Sequence, residues 1–124
     1  MTNVRDVMRS DLVAVPPSTT VQEAARAMVH GHVGSALVMD GDRLVGIFTE
    51  RDIMRAMAQG AADAARVSHV DHWMTQDPVT VGPDAPVGEA LDMMLFRGFR
   101  HLVVVEGEKV AGVVSMRDLS GRVS

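Results

Sequence analysis

Apolar residues along this chain recur with two spacings, and each spacing marks an element. From Leu12 to Val15, and again from Val79 to Val81, apolar and polar positions alternate as in a half-buried strand. Val21, Ala24, Ala25 and Met28 recur at three- and four-residue intervals behind Thr20-Val-Gln-Glu23, a capping box, and predict a helix to about His30. The stripe returns at Val87, Ala90, Leu91, Met94 and Leu95, with Pro86 suited to the first helical turn. Gly31 and Gly98 are expected to stop these helices. After each stop an apolar run, Ala36 to Met39 or Leu102 to Val105, leads through Asp40-Gly-Asp-Arg43 or Glu106-Gly-Glu-Lys109 into a second apolar run. That is a hairpin pattern, with a tip glycine that tolerates positive φ.

These elements are two copies of one unit, which align without gaps at an offset of 66 residues, Val4 falling on Val70. Met8 then meets Met74, Asp11 meets Asp77, Pro17 meets Pro83, Glu23 meets Glu89, Gly46 meets Gly112 and Asp52 meets Asp118. Each copy opens with a short amphipathic segment, Val4 to Met8 or Val70 to Met74. It continues as strand, helix, strand, strand, helix, the last helix running from Glu50 to about Ala58 or from Met116 toward the C-terminus. The expected boundaries are 1–58 for the first repeat, 59–69 for a connector rich in Ala, Gly and Asp, and 70–124 for the second repeat. A unit of this size buries too little apolar surface alone, so the copies are expected to pack around a pseudo-twofold axis. The fold class is α+β, with a small three-stranded sheet in each repeat. Clefts are expected where one copy's early strand borders the other copy's strand-to-helix corner.

Composition narrows the function classes. The 124 residues carry a formal charge of −4 and no long basic run, so a nucleic-acid backbone is not an expected partner. With no cysteine, disulfides and thiolate chemistry are excluded. The N-terminus lacks a basic stretch followed by an apolar one and no apolar run reaches membrane-spanning length, which predicts a soluble, cytoplasmic protein. Ten methionines against three phenylalanines and one tryptophan make an aliphatic and thioether core, to which Met28, Met54, Met93 and Met94 are assigned.

The chemistry concentrates in Gly46-Ile-Phe-Thr-Glu-Arg-Asp52 and its echo Gly112-Val-Val-Ser-Met-Arg-Asp118. In each, a strand runs into a helix through a hydroxyl residue, and an aspartate follows three positions later, the spacing of a capping pair. A capped helix explains the pattern. So does a corner whose exposed amides, hydroxyl and carboxylate hold a phosphate and a ribose diol.

The ordered set of motifs resembles a tandem pair of CBS (cystathionine beta-synthase) domains, a Bateman module. The resemblance rests on V-x-x-x-M, D-x-V-x-V-x-P, V-x-E-A, the strands Gly34-Ser-Ala-Leu-Val38 and Arg100-His-Leu-Val-Val104, and G-h-h-T/S-x-R-D, each occurring at one offset across nearly the whole chain. It implies a non-enzymatic regulatory module that binds AMP, ADP, ATP, S-adenosylmethionine or NAD in its clefts. In such modules the aspartate takes the ribose hydroxyls, the hydroxyl residue assists, and the partner repeat's early strand contacts adenine. Carried over, one cleft uses Asp118, Ser115 and Val113 with Met8, Asp11, Val13, Val33 and Gly34 around the base. Arg100 and His101 occupy its phosphate positions. The other cleft uses Asp52, Thr49, Arg51 and Ile47 with Met74, Asp77, Val79 and Phe99. Gly34 and Ser35 stand in the first copy where Arg100 and His101 stand in the second. The Asp118 cleft is therefore the better nucleotide site; the Asp52 cleft is either empty or uses Arg51 to hold a less charged adenosine ligand.

Other constellations are weaker. His30 and His32, or His69 and His72, lack a third ligand nearby, so no metal site is expected. His30 suits a helix C-terminus. Neither Thr49-Asp52 nor Ser115-Asp118 has a base at nucleophile spacing, and no P-loop or Gly-x-Gly-x-x-Gly is present. No cofactor is required, the adenosine nucleotide being a regulatory ligand. The alternative is a structural dimerisation or protein-interaction module with vestigial clefts. A homodimer is expected, with Met54, Met57 and Leu119 at its helical interface and Trp73 near repeat two's entrance or at a dimer contact. An unidentified protein target is also expected, and no membrane partner.

Overall fold

The computed structural model describes residues 2–59 and 67–120, Ser120 by its backbone alone. In chain order the elements are α1 (Val4–Val7), β1 (Ala14–Val15), α2 (Val21–Gly31), β2 (Ser35–Asp40), β3 (Arg43–Thr49), α3 (Glu50–Gln59), a 3-10 turn (Val70–His72), β4 (Thr75–Gln76), β5 (Thr80–Val81), α4 (Val87–Arg97), β6 (His101–Glu106), β7 (Lys109–Ser115) and α5 (Met116–Ser120). They form two compact units. One is residues 12–78, here the Asp52 unit; the other joins the first eleven residues to the chain from Val79 onward, here the Asp118 unit.

In the Asp52 unit the sheet order is β1-β2-β3-β4, with β1 parallel to β2 and the other pairs antiparallel. In the Asp118 unit it is β5-β6-β7, again a parallel pair followed by a hairpin. The hairpin registers match across the repeat: Ser35 faces Thr49 and His101 faces Ser115, and each ladder shifts at the same place, Val38/Met39 or Val104/Val105. Gly41 and Gly107 turn the hairpins at φ 62° and 65°, a region that costs glycine little.

One expectation changes here. The Asp52 sheet has a fourth strand, because β4, from the second repeat's opening segment, pairs with β3 at Gly46 and Ile47. At the equivalent place in the Asp118 unit Arg9 and Val113 exchange two backbone hydrogen bonds, of 2.9 and 3.0 Å, without extending to a strand. The opening segment of each repeat thus packs on the other repeat's sheet. Val4 is wholly buried among Val87, Met94, Leu102, Val114 and Leu119, and Val70 among Val21, Met28, Phe48 and Trp73. Burying a valine fully is worth about 1.5–3 kcal/mol, so these segments are anchored parts of the cores they enter. Of the connector, Gln59 closes α3, residues 60–66 lie outside the described residues, and Ser68 and His69 bond to the start of α2 through Val21 and Thr20.

Helix ends follow the capping chemistry with one correction. Thr20 Oγ1 accepts from Glu23 N at 3.1 Å and Glu23 Oε1 accepts from Thr20 N at 3.0 Å, the expected box. The Thr20 backbone N–H, with its hydroxyl second, holds the Glu23 carboxyl below its ordinary value of 4.5. Gly98 ends α4 in the left-handed region at φ 76°, but α2 includes Gly31 and ends at His32, which takes the left-handed conformation at φ 56°. The repeat offset places His32, not Gly31, opposite Gly98. Gly31 is small for another reason: a Cβ there would lie 3.0 Å from Val13 Cγ2.

Met28 and Met94 are core residues as expected and Met93 packs against the core, but Met54 is 70% exposed and Leu95 63% exposed. On α3 the buried positions are Asp52 and Ala56, so Met54 and Met57, three apart, share the outer face. Leu119, expected at an interface, is fully buried in the Asp118 core, and Trp73, 8% exposed, belongs to the Asp52 core.

Candidate functional site

The two strand-to-helix corners share a backbone plan and differ in their side chains. In the Asp118 unit the corner is a complete capping box: Asp118 Oδ2 accepts from Ser115 N at 2.9 Å, and Ser115 Oγ accepts from Asp118 N at 3.1 Å. Arg100 is held beside it because its carbonyl accepts from Met116 N at 2.8 Å. His101 joins the same corner as the cross-strand partner of Ser115. Arg100 is exposed and makes no ion pair among the described residues, while Asp118 is half-buried. Among the described residues none donates to Asp118 Oδ1.

The opening segment reaches the same sheet. Met8 packs onto Gly112, where a Cβ would stand 2.7 Å from the thioether sulfur and 2.7 Å from the Arg9 carbonyl oxygen. Val113, buried, is the residue to which Arg9 bonds. Asp11 is exposed and pairs with Arg9 at 3.5 Å. Of the residues assigned to this site, Met8, Asp11, Arg100, His101, Val113, Ser115 and Asp118 therefore belong to one unit, whereas Val13, Val33 and Gly34 belong to the Asp52 unit.

In the Asp52 unit the corner is closed on itself. Asp52, 5% exposed, uses Oδ2 to accept from Thr49 N at 2.9 Å and from Thr49 Oγ1 at 3.3 Å. Its Oδ1 accepts from Arg55 Nη1 at 3.1 Å. The threonine hydroxyl donates to the carboxylate here, whereas the Ser115 hydroxyl accepts from an amide. Arg51 is exposed, Ile47 is buried on β3, Met74 packs onto Gly46, and Asp77 sits at φ 47°. Val79 and Phe99, also assigned to this site, belong to the Asp118 unit.

Three features escaped the sequence reading. Arg55 pairs with Asp52 and lies over the Trp73 ring, 5.9 Å from its centroid. Trp73 Nε1 is buried with no hydrogen-bond partner among the described residues. Glu50 lies against Gly34, so that a side chain at position 34 would collide with its carboxylate. The signal for the first was available: arginine three residues after Asp52 falls opposite Gly121 in the second copy. Among the described residues no group of three or more His, Asp or Glu is placed to hold a metal ion, and no helix is long and apolar enough to cross a membrane.

Two capped corners on repeated β-α-β-β-α units define a tandem-repeat module, and comparison with known proteins gives its family. The CBS-domain family profile matches residues 4–59 and 67–124, and this chain belongs to that family as a CBS pair. It is 40% identical over 121 residues to an uncharacterized 17.7 kDa protein of Acidianus ambivalens, covering 96% of this chain and 71% of that one. Among solved structures it resembles the CBS domain pair of protein MJ0100 in complex with 5'-methylthioadenosine and S-adenosyl-L-methionine (TM-score 0.85, 25% identity, 98% of this chain and 94% of that one). It also resembles CBSX2 in complex with AMP (TM-score 0.77, 26% identity, 96% of this chain and 93% of that one).

Proposed function

We propose that this chain is a non-enzymatic sensor that binds an adenosine-containing ligand, of the class of AMP, ADP, ATP, S-adenosylmethionine or NAD, at the Asp118 corner. The observation that carries this reading is Asp118 Oδ1 beside Ser115, to which no described residue donates, with Arg100, which makes no ion pair among the described residues, bonded through its backbone to the same corner. A carboxylate oxygen accepts from a ribose cis-diol, and an exposed guanidinium suits a phosphate. Family relatives with adenosine ligands support the choice of ligand class. Differential affinity for two arrangements of the protein then shifts a conformational or oligomeric equilibrium, which is how a module without catalytic groups regulates.

The test is thermal unfolding with AMP, ATP, S-adenosylmethionine and NADH, each at about 100 times its dissociation constant, where binding to the folded state alone adds roughly 2.7 kcal/mol. At roughly 4 °C per kcal/mol for a chain of this length, the midpoint rises by about 10 °C. Asp118→Ala is expected to abolish that rise. Folded protein that responds to no ligand refutes the reading.

A second reading draws on exposed apolar residues. Phe96 is 91% exposed beside Leu95 on α4, and Met54 and Met57 share the outer face of α3. These faces support self-association as a homodimer or docking of a protein target, and concentration-dependent sedimentation separates the two.

A further inference from the structure

The Asp52 corner holds a side chain that the second repeat lacks. Arg55 donates from Nη1 to Asp52 Oδ1 at 3.1 Å, and its guanidinium carbon lies 5.9 Å from the centroid of the Trp73 ring. Both partners are nearly inaccessible, Asp52 at 5% and Trp73 at 8% exposure, while the Arg55 side chain is half exposed. At the 66-residue offset Arg55 falls on Gly121 and Trp73 on Val7, so the second copy has neither the cation nor the ring in its sequence. With Thr49 N and Oγ1 on Oδ2 and Arg55 on Oδ1, both oxygens of Asp52 are engaged. A diol approaching this carboxylate meets a guanidinium already bound there. The charge beside the corner is also reversed: Glu50 lies against Gly34, whereas the equivalent positions in the second copy are Met116 and Arg100.

We infer that Arg55 is a built-in occupant of the Asp52 corner, held on the carboxylate by the Trp73 ring, and that it limits the chain to one adenosine ligand. This rests on the reading of the Asp118 corner as a nucleoside site. Arg55 is then the residue that decides how many of two repeated corners are available. Displacing a charge-assisted hydrogen bond and a cation–π contact weakens binding at this corner by about tenfold or more.

Equilibrium dialysis of the full chain with labelled AMP, and separately with labelled S-adenosylmethionine, tests it. The variants are Arg55→Ala, Arg55→Gln, Asp118→Ala and Asp118→Ala/Arg55→Ala. Arg55→Gln removes the charge but keeps an aliphatic stem and a polar tip on the half-exposed surface if Arg55→Ala folds poorly. The wild type is expected to bind one equivalent per chain and Asp118→Ala none. Either Arg55 variant is expected to bind two, and the double variant one. Trp73 is the only tryptophan, so its emission should change as the second equivalent binds. Two equivalents on the wild type, or one on both folded Arg55 variants, overturns the role of Arg55 and leaves the Asp118 reading standing. If the wild type binds neither probe, the Asp118 reading fails. The double variant then decides Arg55 alone: one equivalent sustains its role, and none overturns it.

Discussion

Replacing Gly112 by alanine adds one methyl group where the opening segment meets β7, and the structure says it cannot be accommodated. The new Cβ would lie 2.7 Å from Met8 Sδ, 3.0 Å from Met8 Cγ and 2.7 Å from the Arg9 carbonyl oxygen. A thioether can move aside; a backbone carbonyl held to Val113 N at 3.0 Å can move only by giving up that bond, and with it the reciprocal one from Arg9 N at 2.9 Å. Overpacking costs about 1–3 kcal/mol, and each lost hydrogen bond about 0.5–1.5 kcal/mol. The expected destabilisation is about 2–4 kcal/mol, a shift in urea midpoint of about 1 M or more. Gly88 is the control, because a Cβ there meets nothing within 4 Å and the residue lies within α4. Gly88→Ala is expected to stabilise by about 0.4–1 kcal/mol. Adding Met8→Ala to Gly112→Ala removes the thioether but not the Arg9 carbonyl, so it restores little. A Gly112→Ala protein that unfolds within about 0.5 kcal/mol of wild type, below the cost of ordinary overpacking, refutes the docking described for the opening segment.

Two further predictions follow from the capped corners and helices. Asp52→Ala removes three hydrogen bonds and strands Arg55 and the Thr49 amide, whereas Asp118→Ala removes one accepted bond; urea unfolding should show the first costing about 2–4 kcal/mol and the second about 1 kcal/mol. Glu23, with its folded-state pKa below 4.5, binds protons more weakly folded than unfolded. Its contribution is complete above that value and is lost as pH falls through the lower folded value. Glu23→Gln should therefore flatten the acid limb of a stability profile while leaving the neutral region's slope unchanged.

Much of the fold was legible because the information is local. Thr20 and Glu23 announce a helix start, and the hairpin tips Gly41 and Gly107 supply the positive φ their turns need. The offset of 66 then transfers each assignment to the other copy. The corner aspartates were legible too, since Thr49-Asp52 and Ser115-Asp118 carry cap spacing. What spacing could not separate is Asp52 from Asp118: their motifs are alike, and the difference lies in the residue three positions later and in Trp73, distant in sequence. Met54 and Leu95 were misplaced for a related reason. An apolar residue at the margin of a helical stripe faces inward only if the neighbouring layer reaches it, which no single helix records.

Periodicity and capping act over a few residues, so the repeat, its elements and the capped corners are written in the local pattern of the chain, and the lack of cysteine excludes thiol chemistry. The tertiary structure decided which sheet each opening segment enters. Val4 and Val70 are equally apolar and their copies nearly interchangeable, so local pattern is satisfied by either sheet; only the packed cores and the Arg9–Val113 and Gly46–Gln76 pairings select one. It also decided that both oxygens of Asp52 accept from its own chain, whereas at Asp118 the described residues donate only to Oδ2. The Asp52–Arg55 pair is local, three residues apart, but the Trp73 ring beneath Arg55 comes from a segment distant in sequence, and only folding brings the two together.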